Sequence, residues 1–177
     1  MSEIFKKPYK VHMPKSAHAE AEFGPGKPGL LICESCGAVY FKKHWHKNLE
    51  RLNNSEAQSL KNDKKVKFVT CPADTMIKNG QYEGRVTIKN IPEKYKEQLE
   101  DLIRGFCDRA YDRDPLDRLI AMKSAGDDWE VTLTENQIAN KLARKIKETF
   151  SRVISETRFV GGESDVAEVR VEFEHAG

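Results

Sequence analysis

The chain has no long apolar run. In 177 residues nothing approaches the roughly 20 consecutive apolar residues of a membrane-spanning helix. Its first residues, M-S-E-I-F-K-K-P-Y-K, hold no apolar segment of signal-peptide type. Net charge is also small, +2 with histidine neutral, so overall charge does not point to a partner. The four cysteines, two of them in a tight pair, suit metal binding in a reducing compartment better than a disulfide scaffold. No G-x-S-x-G, Walker loop, G-x-G-x-x-G or H-E-x-x-H occurs, so the common catalytic signatures are missing. The expectation is a cytoplasmic protein that is not an enzyme, takes no small-molecule substrate and does not enter a membrane.

What is present centres on residues 33 to 74. C-E-S-C-G (Cys33 to Gly37) opens the stretch and C-P-A-D (Cys71 to Asp74) closes it. A C-x-x-C turn aims two thiolates at one ion, and a second turn brought back to it completes a tetrahedron. Short apolar segments lead into and out of the first turn (Leu30 to Ile32, Ala38 to Phe41), and another, Val66 to Thr70, enters the second, as in a zinc ribbon. The expected cofactor is Zn²⁺, held by Cys33, Cys36, Cys71 and Asp74. Asp74 stands where a fourth cysteine is the usual ligand, so His44 or His46 swinging in, or a degraded site, stay open as alternatives.

Between the turns, Y-F-K-K-H-W-H-K interleaves aromatic and basic side chains. Aromatics stack on unpaired bases and lysines neutralise phosphates, so this loop is a candidate RNA contact. The expected contact residues are Tyr40, Lys42, Lys43, Trp45, His46 and Lys47, with Lys64 and Lys65 further on. From Lys42 to Lys67 eight basic residues face three acidic ones, a local excess that supports the same reading. The plainer account is that Phe41 and Trp45 cap a small core beneath solvated lysines.

Domain organisation follows from composition and periodicity. Residues 1–28 carry scattered lysines, prolines and glycines without apolar period, and read as a flexible basic tail. Residues 29–80 form the metal module. Residues 81–177 alternate strand and helix patterns: a strand over 81–89, a helix from Pro92 to about Asp112, a hairpin turning at 125–128, a helix opened by the capping box Thr134-x-x-Gln137, and two closing strands. The fold class is therefore α+β, a zinc-ribbon module followed by a split β-α-β (ferredoxin-like) two-layer domain. The extra C-terminal strand is expected at a sheet edge, its acidic end (Glu172, Glu174) discouraging aggregation. Cys107 falls on the apolar stripe of the first long helix and reads as a core thiol.

Taken together, C-E-S-C-G-A-V-Y-F, Trp45, C-P-A-D, N-G-Q-Y-E-G-R-V-T-I and the helix T-E-N-Q-I-A-N-K-L-A-R-K-I-K-E-T-F resemble the archaeal members of the large ribosomal subunit export adaptor family, the homologues of nonsense-mediated decay protein three. The resemblance runs over roughly residues 30–174. This chain has Asp74 for cysteine in the second turn and stops where longer members continue. The resemblance implies association with ribosomal RNA or the large ribosomal subunit.

Overall fold

A computed structural model describes residues 30–51, 66–160 and 166–174. The basic tail, Lys64, Lys65 and the glycine turn at 161–164 lie outside the described residues. So do the other residues of 52–65; just before them lies a single 3₁₀ turn, Leu49–Arg51.

The described residues form two sheets and three α-helices, a mixed α+β architecture. The first sheet has the order β3-β2-β1-β4, from strands β1 (Leu30–Cys33), β2 (Val39–Phe41), β3 (His44–His46) and β4 (Val66–Val69). β1, β2 and β3 form an antiparallel meander, and β4 joins β1 in parallel. Side chains alternate between the faces of a strand. Leu31, Tyr40 and Trp45 therefore share one face, while Ile32, Val39, His46 and the Phe41–His44 pair occupy the other.

Directly after β4, C-P-A-D opens helix α1 (Pro72–Asn79), so the second ligand turn is a helix terminus and not a second hairpin knuckle. Cys71 is its N-cap and Pro72 holds the first helical position, where a missing N–H costs nothing. Gly80 ends the helix in the left-handed conformation, φ 62°, its N–H returning to the Ile77 carbonyl.

The second sheet, of order β6-β7-β5-β9-β8, is built from β5 (Gly84–Lys89), β6 (Leu119–Ala125), β7 (Asp128–Leu133), β8 (Val153–Val160) and β9 (Val166–Phe173). Helices α2 (Lys96–Arg113) and α3 (Asn136–Thr149) contribute to a single core with it. α2 buries Leu99, Ile103, Cys107 and Ala110, and α3 buries Ile138, Ala139, Leu142, Ala143 and Ile146. These spacings of three and four put each set on one stripe, and each such leucine or isoleucine contributes roughly 1.5–3 kcal/mol by leaving water. The start of β5 lies hard against α3: a Cβ added at Gly84 would stand 2.8 Å from both the Ala139 Cβ and the Glu135 carbonyl oxygen.

Two expectations are corrected here. The last strand is not at an edge. β9 runs parallel to β5 on one side and antiparallel to β8 on the other, and β8 is the outer strand. Burial explains the order: β9 buries Val166, Ala167, Val169, Val171 and Phe173, whereas β8 buries Val153 and exposes the next six residues. The strand with the full apolar face goes inside. Second, Thr134 does not cap α3, whose N-cap is Glu135 with no side-chain capping bond. The Thr134 hydroxyl instead donates to the Leu116 carbonyl at 2.5 Å and accepts the Arg118 N–H at 2.8 Å. It ties the α2–β6 connection to the end of β7.

Candidate metal centre

The first ligand pair rides on the β1–β2 hairpin. The Cys33 N–H donates to the Ala38 carbonyl at 2.7 Å and the Gly37 N–H to the Cys33 carbonyl at 2.9 Å, closing a tight knuckle. Gly37 sits at φ 74°, a conformation glycine adopts without penalty. The second pair comes from the first turn of α1, Cys71 at the N-cap and Asp74 at the third helical position. One ligand atom from each of Cys33, Cys36, Cys71 and Asp74 lies within 4.8 Å of the other three, close enough to hold a metal ion.

The edges of this cluster can be compared with a tetrahedron. Thiolates about 2.3 Å from an ion lie roughly 3.8 Å apart, and a thiolate and a carboxylate oxygen roughly 3.5 Å apart. The Cys36 and Cys71 sulfurs are 3.8 Å apart. Asp74 Oδ2 accepts from the Cys33 thiol at 3.1 Å and from the Cys71 thiol at 3.2 Å, slightly inside the metal-bound spacing, as hydrogen bonds are. Backbone N–H groups turn toward the sulfurs as well: Cys71 N–H donates to Cys33 Sγ at 3.3 Å and Asp74 N–H to Cys71 Sγ at 3.4 Å. A helix N-terminus adds its positive dipole end. The donor set therefore fits a soft or borderline divalent ion.

Electrostatics follow from crowding. Burial pushes the Cys36 thiol up to about 11, with the Asp74 carboxylate adding to it, and burial raises Cys71 further. Burial also opposes ionisation of Asp74, but hydrogen bonds from the Cys36, Cys33 and Cys71 thiols and the Arg118 guanidinium outweigh it, so its carboxyl lies below the usual range. Burial beside a carboxylate therefore favours the neutral thiols of Cys36 and Cys71, and a bound cation would supply the charge that balances their thiolates.

His44 and His46 do not join the cluster. Their side chains belong to the sheet face opposite Leu31 and Cys33, the consequence of strand alternation. Trp45 is on the cluster's side: with Cys36 and Leu116 it packs against buried Cys33, Ala38, Cys71 and Ala73. Tyr40 and Trp45 lean on each other, ring centroids 5.3 Å apart, both half-buried. Lys47 is drawn to the second sheet's unit, paired with Asp112 and lying over the Tyr111 ring at 4.8 Å. Of the expected RNA contacts, Lys42 and Lys43 form the exposed hairpin tip between β2 and β3, beside exposed His44. Both lysines have left-handed backbone, φ 49° and 68°, the signature of a two-residue type I′ turn usually made by Asn-Gly.

Sequence reasoning missed Arg118, Tyr111 and Leu116. Arg118 Nη1 lies 3.7 Å from Asp74 Oδ1, and its guanidinium stacks over Tyr111 at 4.6 Å. They reach the cluster from α2 and the connection after it, about forty positions beyond Asp74, and no local pattern marks them. Comparison of the chain with protein families, curated proteins and solved structures returns no match. Among the described residues no helix is long and apolar enough to cross a membrane.

Proposed function

We propose that this protein is a non-enzymatic RNA-binding protein of the ribosome, acting on ribosomal RNA or the large subunit, with a structural zinc centre that braces a basic hairpin. In this reading the first sheet is a zinc-ribbon-like module whose second ligand pair moved onto a helix. The second is a ferredoxin-like split β-α-β sheet, β6-β7-β5-β9, widened by β8 at its edge.

The observation that carries the reading is the hairpin tip. Two adjacent lysines occupy left-handed backbone that costs a non-glycine residue about 1–2 kcal/mol each. Strain of that kind persists where the surrounding structure enforces it, and it concentrates at functional positions. The bracing here is the ligand cluster behind β1, with Trp45 packed on it. Four protein donors fill a tetrahedron, which supports a structural ion over a catalytic one. The Lys42–Lys43 tip, exposed Lys67 on β4 and the basic excess of the loop suit phosphate contact. The resemblance to the export adaptor family supports a ribosomal target.

Sedimentation of the zinc-loaded protein with large ribosomal subunits across a salt series tests this. Binding is expected to weaken linearly in log–log terms, and Lys42→Gln with Lys43→Gln is expected to reduce the slope by about two. Absence of co-sedimentation together with no binding to structured RNA would overturn the proposal.

A further inference from the structure

Outer strands of a sheet carry unpaired backbone N–H and C=O groups, and proteins usually blunt them. Among the described residues, three of the four outer strands are blunted. β3 and β4 are three and four residues long, and β4 carries Lys67. β6 has a register irregularity between Leu119 and Ala121 and carries Lys123. β8 is different. It is eight residues long, V-I-S-E-T-R-F-V, without proline, glycine or lysine, and it pairs with β9 through eight consecutive positions without a shift. It also exposes two large apolar side chains, Ile154 at 51% and Phe159 at 66%.

We propose that β8 is the seam of a symmetric dimer, its occupant a second copy of β8 running antiparallel. The charge pattern selects one register. With a twofold axis perpendicular to the sheet through Thr157, Glu156 stands opposite the partner's Arg158 and Arg158 opposite the partner's Glu156. Shifting by two residues in either direction puts glutamate against glutamate or arginine against arginine, and like charges directly opposite are unfavourable. Within one chain Glu156 and Arg158 already lie on one face, 3.2 Å apart and well exposed, and the cross-strand partners offer each a second counter-charge. The same axis sets Phe159 opposite the partner's Ser155 on the face that carries α3, where Thr157 donates to Asn140 Oδ1 at 2.9 Å. Pairing joins the two five-stranded sheets into one of ten strands with the helices on a common face. It leaves the Lys42–Lys43 hairpin, on the other sheet, outside the seam.

Sedimentation equilibrium on the zinc-loaded full chain tests the seam, with surface charge reversals that leave the core untouched. The wild type is expected to dimerise with concentration. Glu156→Arg alone and Arg158→Glu alone are each expected to raise the dimer Kd about tenfold or more, and the double reversal to restore it. Thr157→Cys is expected to form a disulfide-linked dimer under mild oxidation, with Ser124→Cys on β6 as the uncrosslinked control. A protein that stays monomeric to about 100 μM, a concentration at which an edge pairing worth roughly 5–6 kcal/mol is populated, overturns the proposal. So does a dimer whose Kd is insensitive to the single reversals, or whose loss the double reversal does not rescue.

Discussion

Asp74 and Arg118 meet where the two sheets adjoin, the carboxylate Oδ1 3.7 Å from a buried Nη1 that makes no hydrogen bond among the described residues. One oxygen of Asp74 faces the thiols and the other faces the arginine. The candidate ligand carboxylate is therefore oriented from the far side by a residue of the second unit, as carboxylate ligands commonly are. Replacing Arg118 with Met keeps the stem that packs on Tyr111 and removes the charge. Zinc affinity is expected to fall about 10–100-fold, measured by competition with a chromophoric chelator. Unchanged affinity would show that Arg118 only packs.

Asp74 itself separates a ligand from a bystander. Asp74→Cys is expected to retain one zinc per chain with tighter binding, and Asp74→Ala to bind weakly, by metal analysis after gel filtration. His44→Ala is expected to leave metal content unchanged, because His44 belongs to the opposite sheet face.

The two tryptophans report on separate units. Trp45 packs at the ligand cluster, and Trp129 sits in the core of the second sheet. Chelation is expected to shift tryptophan emission in a Trp129→Phe protein and to change it little in a Trp45→Phe protein. The reason is that metal-binding energy, roughly 10–16 kcal/mol for small zinc modules, acts on the first unit, whereas the second has its own apolar core.

Lys42 and Lys43 exchange stability for charge. Lys42→Asn with Lys43→Gly provides the residues a type I′ turn prefers and is expected to stabilise the fold by about 1 kcal/mol in urea unfolding while weakening RNA binding. Loss of stability instead would mean the lysines are held by contacts that outweigh the backbone strain.

Gly84 is where β5 and α3 approach most closely. Gly84→Ala forces a methyl into the Ala139 Cβ and the Glu135 carbonyl, each at 2.8 Å, and is expected to cost about 1–3 kcal/mol in urea unfolding.

A group of carboxylates near the α2–β6 connection sets a pH dependence. Burial raises Asp117, and the Asp114 charge adds to it; burial raises Glu135, with Asp117 and Asp114 adding. A folded-state value above the unfolded one means that the fold prefers the protonated acid. This contribution to stability is present at acid pH, is lost as pH rises through the folded values, and stays lost at neutrality. Asp117→Asn is expected to raise Tm at pH 7 by roughly 1–3 °C and to have no effect near pH 3.

Much of this structure was legible in residue order. The periodicity of Leu99, Ile103, Cys107 and Ala110 places a buried helix face, and Ala125–Asp128 marks the hairpin, because both signals are local. The C-x-x-C-G knuckle is equally local: spacing and one left-handed glycine make it. The order of strands was not legible, since β9 going between β5 and β8 depends on which strand has the fuller apolar face to offer the helices, a comparison between distant segments. Thr134 had the sequence of a cap and became a tie to Leu116 and Arg118, because the half-buried α2–β6 connection brings a carbonyl and an N–H to its hydroxyl. The ligand set divides the same way. Sequence by itself determined three thiols at metal spacing. Only the tertiary structure placed Asp74 on the first turn of a helix, turned His44 and His46 to the other face of the sheet, and brought Arg118 up behind the carboxylate. Spacing along a chain defines what a turn can offer, and strand alternation and helix placement decide which side chains face one point in space.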